Sequence, residues 1–110
     1  MKYLITILVL MSQNGMAIKI VSASRDSKSQ KVVVNLAYQG GCMPHEFSIE
    51  WEACSVEGRR LGLVVDTGAA DPCMNDQFQA FSVPEPEDGC EASEFVLKSS
   101  TSKNLVVISK

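Results

Sequence analysis

The 110-residue sequence contains one histidine, one tryptophan, no C-x-x-C pair and no cluster of basic side chains. Each absence removes a class of function. Ten Lys and Arg stand against 13 Asp and Glu, and the only adjacent basic pair is Arg59-Arg60, so the electrostatic footprint of a nucleic-acid binder is missing. The four cysteines fall 12, 19 and 17 positions apart, which fits neither a zinc ribbon nor a thioredoxin-type redox pair. The longest apolar run, Leu4 to Met11, has eight residues with one threonine among them, too short to cross a bilayer, which takes roughly 18 or more. There is no G-x-S-x-G, and one histidine must serve any triad, which argues against nucleophilic catalysis. Beyond residue 17 no segment holds a sustained helical period.

The apolar run at the N-terminus reads as an export segment. Met1-Lys2-Tyr3 supplies one positive charge, Leu4 to Met11 forms the apolar stretch, and Ser12-Gln13-Asn14-Gly15 breaks it. Gly15-Met16-Ala17 offers small residues at the two positions a signal peptidase reads, and Val21-Ser22-Ala23 is a second such site. The expectation is a signal peptide over 1–17 and one secreted or periplasmic domain over 18–110, without a membrane anchor once the segment is cleaved. A domain of that size buries a modest core, and small exported domains are commonly reinforced by disulfides.

The rest of the chain alternates like strands. Lys31 to Tyr38 puts Val32, Val34, Leu36 and Tyr38 on one face. Glu46 to Ala53 alternates more cleanly, with Phe47, Ile49, Trp51 and Ala53 against Ser48, Glu50 and Glu52, which makes Trp51 a core residue. Further runs are Arg60 to Asp66, Gln77 to Val83, Ser93 to Lys98 and Asn104 to Ser109, with Ile18 to Val21 as a seventh. Polar turn residues at Arg25 to Gln30 and at Ser99 to Lys103 predict hairpin loops. Short strands without intervening helices predict an all-β fold, a small antiparallel β-sandwich of immunoglobulin-like size.

Strand direction selects the cysteine pairing. If consecutive strands run up and down, Cys42 before the 46–53 strand and Cys73 beyond the next one share one end of the sheet. Cys54 and Cys90 then share the other. The predicted disulfides are Cys42 with Cys73 and Cys54 with Cys90.

Two candidate sites remain. Val64-Val65-Asp66-Thr67-Gly68-Ala69 resembles the catalytic loop of retroviral-type aspartic proteases, in which two such carboxylates share a proton across a dimer. Asp66 falls halfway along the mature chain, however, and neither a glycine-rich flap nor an apolar-apolar-Gly segment accompanies it. His45 is expected at the same end of the sheet as Asp66, Asp71 and Asp76, where one imidazole and several carboxylates suit a divalent cation. The competing reading is structural: His45 hydrogen-bonds a turn or a carboxylate and fixes the Gly40-Gly41-Cys42 loop.

Tyr38-Gln39-Gly40-Gly41-Cys42-Met43-Pro44-His45-Glu46-Phe47 resembles the Y-x-G-G-C-x-x-H-x-F pattern of small secreted bacterial β-sandwich domains, including the C-terminal region of NigD-like proteins. A later D-x-C turn of that family is matched by Asp71-Pro72-Cys73, over a resemblance spanning residues 31–83. Where such domains often carry His before that turn, this chain has Asp66. The resemblance implies fold and export, agrees with the Cys42 to Cys73 pairing, and brings no activity or cofactor. The expected function is therefore an exported binding or structural module without catalytic residues, for a protein or small-molecule ligand. Its contact surface is the loop end of residues 40–45 and 66–76, and the alternatives are the protease and the metal site.

Each disulfide closes a loop of about 30 residues or more, for which the chain-entropy estimate is on the order of 3 to 4 kcal/mol. Replacing either pair by alanine is expected to leave the exported protein poorly folded; thermal unfolding unchanged under strong reductant would contradict this.

Overall fold

Alternating apolar residues generate seven strands in the computed structural model, which describes residues 17–54, 58–68, 70–87, 90 and 92–109. They are β1 (Lys19–Asp26), β2 (Lys31–Gly40), β3 (Phe47–Trp51), β4 (Arg59–Asp66), β5 (Asn75–Pro84), β6 (Glu94–Ser99) and β7 (Leu105–Ser109). Apart from Ala17, the expected export segment lies outside the described residues. Two sheets form, ordered β1-β2-β5 and β3-β4-β6-β7. The protein is an all-β sandwich.

Its core is made where the inward faces of the two sheets meet. Val32, Val34, Leu36 and Tyr38, the face read from the sequence of β2, are all buried, and Ile18 and Ile20 join them. Val64, Phe95, Leu97 and Ile108 oppose them from the second sheet. Trp51 packs on this core as expected, its ring centroid 5.2 Å from that of Phe95. Ala53, assigned to the same face, lies exposed beyond the end of β3.

The first strand runs longer than its apolar stretch suggests, because β2 pairs with it as far as Asp26. A tight turn makes this possible. The Gln30 N–H donates to the Asp26 carbonyl at 2.8 Å, and the Asp26 carboxylate accepts from the Lys28 N–H and the Ser29 hydroxyl. Gln30 takes the left-handed conformation that closes the hairpin, with φ of 55°.

Successive strands alternate in direction throughout, yet one ladder is parallel. The β4 and β6 strands lie side by side because β5, the single strand between them in sequence, crosses to the other sheet, so the chain returns to the second sheet running the same way. The remaining four ladders are antiparallel. Both disulfides form as predicted, Cys42–Cys73 and Cys54–Cys90, since the prediction used only strand direction. Each joins two connections at one end of the sandwich.

Gly62 pairs with Trp51 across β3 and β4, and the indole lies over the space a side chain would need. A Cβ there would stand 2.6 Å from Ile49 Cγ2 and 2.9 Å from the Trp51 ring. Gly62→Ala is expected to lower stability by about 1–3 kcal/mol through overpacking, measured by urea unfolding with both disulfides intact; a change below about 0.5 kcal/mol, the size of an ordinary surface substitution, would show that the indole moves aside freely.

Candidate functional site

Two connections cross between the sheets at the end where β2 stops and β4 stops. Residues 41–46 lead from β2 to β3, and residues 67–74 lead from β4 to β5. The Cys42–Cys73 bridge ties one to the other. Beneath the bridge lie His45, Asp66 and Asp71, whose side chains are 3%, 14% and 0% exposed. Three of the four residues expected to gather here do so. Asp76 does not: it sits on the solvent face of β5, opposite Gln39, because its even position faces away from the core that Gln77, Phe81 and Val83 approach.

Asp71 is the hub. It receives the N–H groups of Gly41 (2.9 Å), Cys42 (3.2 Å) and Met43 (3.2 Å) on one oxygen and that of Cys73 (3.0 Å) on the other. Gly41 adopts φ of 116°, which a side chain resists, and so turns the backbone N–H groups inward as a cradle for an anion. Gly40 leaves the room: a Cβ on it would lie 2.6 Å from Asp71 Oδ2 and 2.8 Å from His45 Nε2. The glycine pair, read from the sequence as part of a loop, is thus the wall of a carboxylate pocket. The sequence carried a signal for it in the D-x-C spacing, since Asp71 takes the N–H two residues on, as an Asx turn does.

Asp66 repeats that device. Its Oδ1 accepts from the Gly68 N–H at 2.8 Å and from the Glu46 N–H at 3.2 Å. Gly68 is needed because a Cβ there would meet the Pro44 carbonyl at 2.9 Å. Asp-Thr-Gly is therefore accounted for locally as a turn that ends β4. The second oxygen of Asp66 faces His45, not another carboxylate.

His45 bridges the two acids. Its Nδ1 lies 2.5 Å from Asp66 Oδ2 and its Nε2 2.8 Å from Asp71 Oδ2. An ionised carboxylate only accepts, so with both acids ionised the two contacts are hydrogen bonds in the form of the ring that carries a proton on each nitrogen, the imidazolium. Burial works against that charge, but the hydrogen bonds that the ring donates to Asp66 and Asp71, together with their negative charges, outweigh it and hold the His45 pKa above the ordinary 6.5. Burial likewise opposes the charge on Asp71, where the Cys73 N–H, His45 and the Met43 and Cys42 N–H groups prevail and keep the carboxyl well below the usual carboxylate range. Aromatic rings enclose the imidazolium, with Tyr38 at 4.7 Å and Phe47 at 5.7 Å, the latter nearly parallel. The Tyr38 hydroxyl donates to Gln79 Oε1 at 3.0 Å, and burial together with the charges of Asp66 and Asp71 pushes its pKa up.

This arrangement locks two loops together more readily than it performs chemistry. A general base needs one ring nitrogen facing a substrate or nucleophile, and a metal ligand needs a bare lone pair. Both nitrogens here face carboxylates on opposite sides of the ring, which also places the two acids apart. Cys42, Asp71 and Cys73 bring ligand atoms within 4.8 Å of one another, but both sulfurs belong to the disulfide. Apolar side chains are exposed on both connections: Met43 and Met74 are 41% and 69% exposed, and Pro44 and Pro72 are exposed as well, among the exposed polar residues Glu46, Thr67 and Asn75. No protein-family model, curated protein or solved structure matches the chain.

The cluster ties stability to pH with opposite signs at its two ends. The raised pKa of His45 makes its contribution complete below pH 6.5 and lost as pH rises through the folded value; the depressed pKa of Asp71 makes its contribution complete above pH 3.8 and lost as pH falls through the folded value. Denaturant midpoints between pH 3 and pH 10 are expected to form a plateau between these limits and to decline on the alkaline side as His45 deprotonates. His45→Gln is expected to lower the plateau and remove the part of the alkaline decline that His45 causes; parallel curves for the two proteins would show that the ring is not protonated in the fold.

Proposed function

We propose that this chain is an exported, disulfide-stabilised binding module that offers the loop end of residues 40–45 and 66–76 to a protein partner, with no chemistry of its own. The observation that carries this reading is a pair of exposed methionines, Met43 and Met74, beside a disulfide on backbone that Asp71 holds with four N–H groups. Exposed methionine is a poor choice for an inert surface and a good one for contact, since its flexible thioether adapts to an apolar partner. Fixing the loop beforehand lowers the entropy lost on binding. Loops on a rigid sandwich are a common place for recognition.

Export is supported from two sides. Two disulfides suit an oxidising environment, extracellular or periplasmic. The charged Lys2, the apolar Leu4 to Met11 and the small residues before residue 18 compose a signal peptide. The Y-x-G-G-C-x-x-H-x-F resemblance to NigD-like domains points the same way, and its histidine serves here as the link between Asp66 and Asp71. A protease built on Asp66 would require that carboxylate to leave His45 and meet a second copy of itself. A metal at His45 would require the cation to displace a carboxylate from the ring. Neither has an observation in its favour.

Photo-crosslinking tests the surface. With benzoylphenylalanine in place of Met74, irradiation of the exporting cells is expected to give a discrete adduct that the same residue in place of Lys28, in the turn at the far end of β2, does not give. The double substitution Met43→Asp with Met74→Asp is expected to abolish the adduct formed through a probe at Pro72 while shifting stability by no more than about 0.5 kcal/mol, as surface changes do. Equal labelling from both ends of the sandwich, or none from either, would overturn the assignment.

A further inference from the structure

Four strands lie at the edges of the two sheets, and three of them are blunted. The β3 and β7 strands are only five residues long. The β1 strand has a register shift between Ile20 and Ser22, and the hairpin between β6 and β7 covers its outer edge: the Ile18 N–H donates to Thr101 Oγ1, the Ile20 N–H to Asn104 Oδ1, and the Ser102 hydroxyl to the Ile18 carbonyl. Short strands, bulges and covering loops are the usual means of preventing edge-to-edge association.

The β5 edge has none of these protections. It is ten residues long and pairs with β2 without a register shift. From Gln77 to Val83 it carries no charge and no proline. The Glu85 N–H donates to the Gln30 carbonyl just past the end of this ladder, so the odd-numbered residues of β5 direct their backbone toward β2. By alternation, Asp76, Phe78, Ala80 and Ser82 direct theirs outward, and no hydrogen bond to that edge exists among the described residues. The same four residues hold the solvent face of the strand, where Phe78 is 78% exposed, the most open of the large apolar side chains among the described residues.

We infer that β5 pairs antiparallel with β5 of a second copy of this chain, about a two-fold axis at Gln79. The register follows from matching outward-directed residues. Centring on Gln79 sets Phe78 against the partner's Ala80 and Asp76 against the partner's Ser82, with each pair repeated across the axis. All four outward-directed residues are then used, giving about eight hydrogen bonds in four narrow pairs. A large aromatic ring meets a small side chain, and no like charges oppose one another. Centring one residue pair further along would set Asp76 against Pro84, which has no N–H to give. The result is one continuous six-stranded sheet in which Phe78 is covered by the partner and an isologous interface closes on itself.

Sedimentation and covalent capture test this on the exported chain with both disulfides formed. At about 100 µM the protein is expected to sediment as a dimer, and Ala80→Pro, which removes an outward N–H from an edge position without breaking the bond pattern to β2, is expected to raise the dissociation constant tenfold or more. Phe78→Lys is expected to do the same by placing a charge on the edge. Gln79→Cys places two thiols across the axis in a non-hydrogen-bonded pair, a geometry that accepts a disulfide. Mild oxidation is expected to link the two copies through position 79 while Cys42–Cys73 and Cys54–Cys90 persist in the peptide map. A monomer at that concentration, or a dimer that survives both Ala80→Pro and Phe78→Lys with no link through position 79, would overturn the inference.

Discussion

A buried carboxylate, that of Asp71, organises one end of this protein. Removing a charge from water is costly unless it is hydrogen-bonded and paired, and Asp71 is both. Four backbone N–H groups and the His45 imidazolium surround it. Every neighbour is shaped by that requirement. Gly40 leaves space for it, Gly41 bends the chain around it, and Cys42 and Cys73 bring the two crossing loops close enough to share it. His45 then carries the constraint to Asp66 and the end of β4. The disulfide limits how far the unfolded loops can separate; the carboxylate decides how the folded loops are arranged.

That division clarifies why an arrangement resembling a catalytic set behaves as a clamp. A histidine between two aspartates appears ready for acid-base chemistry, but each carboxylate claims one nitrogen, and aromatic rings flank the imidazolium. The Asp-Thr-Gly motif is likewise explained by its own turn, with one Asp66 oxygen taking the Gly68 N–H. Accessible apolar surface lies outside the clamp, on Met43 and Met74. The loop end is thus tied together inside by hydrogen bonds and a disulfide and carries exposed thioethers outside.

Much of the architecture was readable from alternation. The β2 face and the core position of Trp51 follow from period-two patterning. The disulfide pairing follows from strand direction and survives even though β5 belongs to the sheet opposite β4, because direction alternates whichever sheet a strand joins. The site was legible in part. His45, Asp66 and Asp71 were placed together by the same reasoning, whereas Asp76 lies at that end of β5 but is turned away from them, because position at one end of a sheet says nothing about which face a strand residue occupies. The cradle of N–H groups from Gly41, Cys42 and Met43 was hidden, since backbone donors have no letter in the sequence and reveal themselves only once the chain has turned.

By itself, the sequence determined that the fold is made of short strands, which face of β2 is buried, which cysteines pair, and that a lone histidine accompanies acids at one end. These depend on local periodicity and on the direction of the chain. Tertiary structure decided that β4 runs parallel to β6, that both nitrogens of His45 are taken by carboxylates, and that β5 is left as a long bare edge with Phe78 exposed. Each of those is a relation between segments distant in sequence, fixed by which sheet a strand joins and by what then lies opposite it.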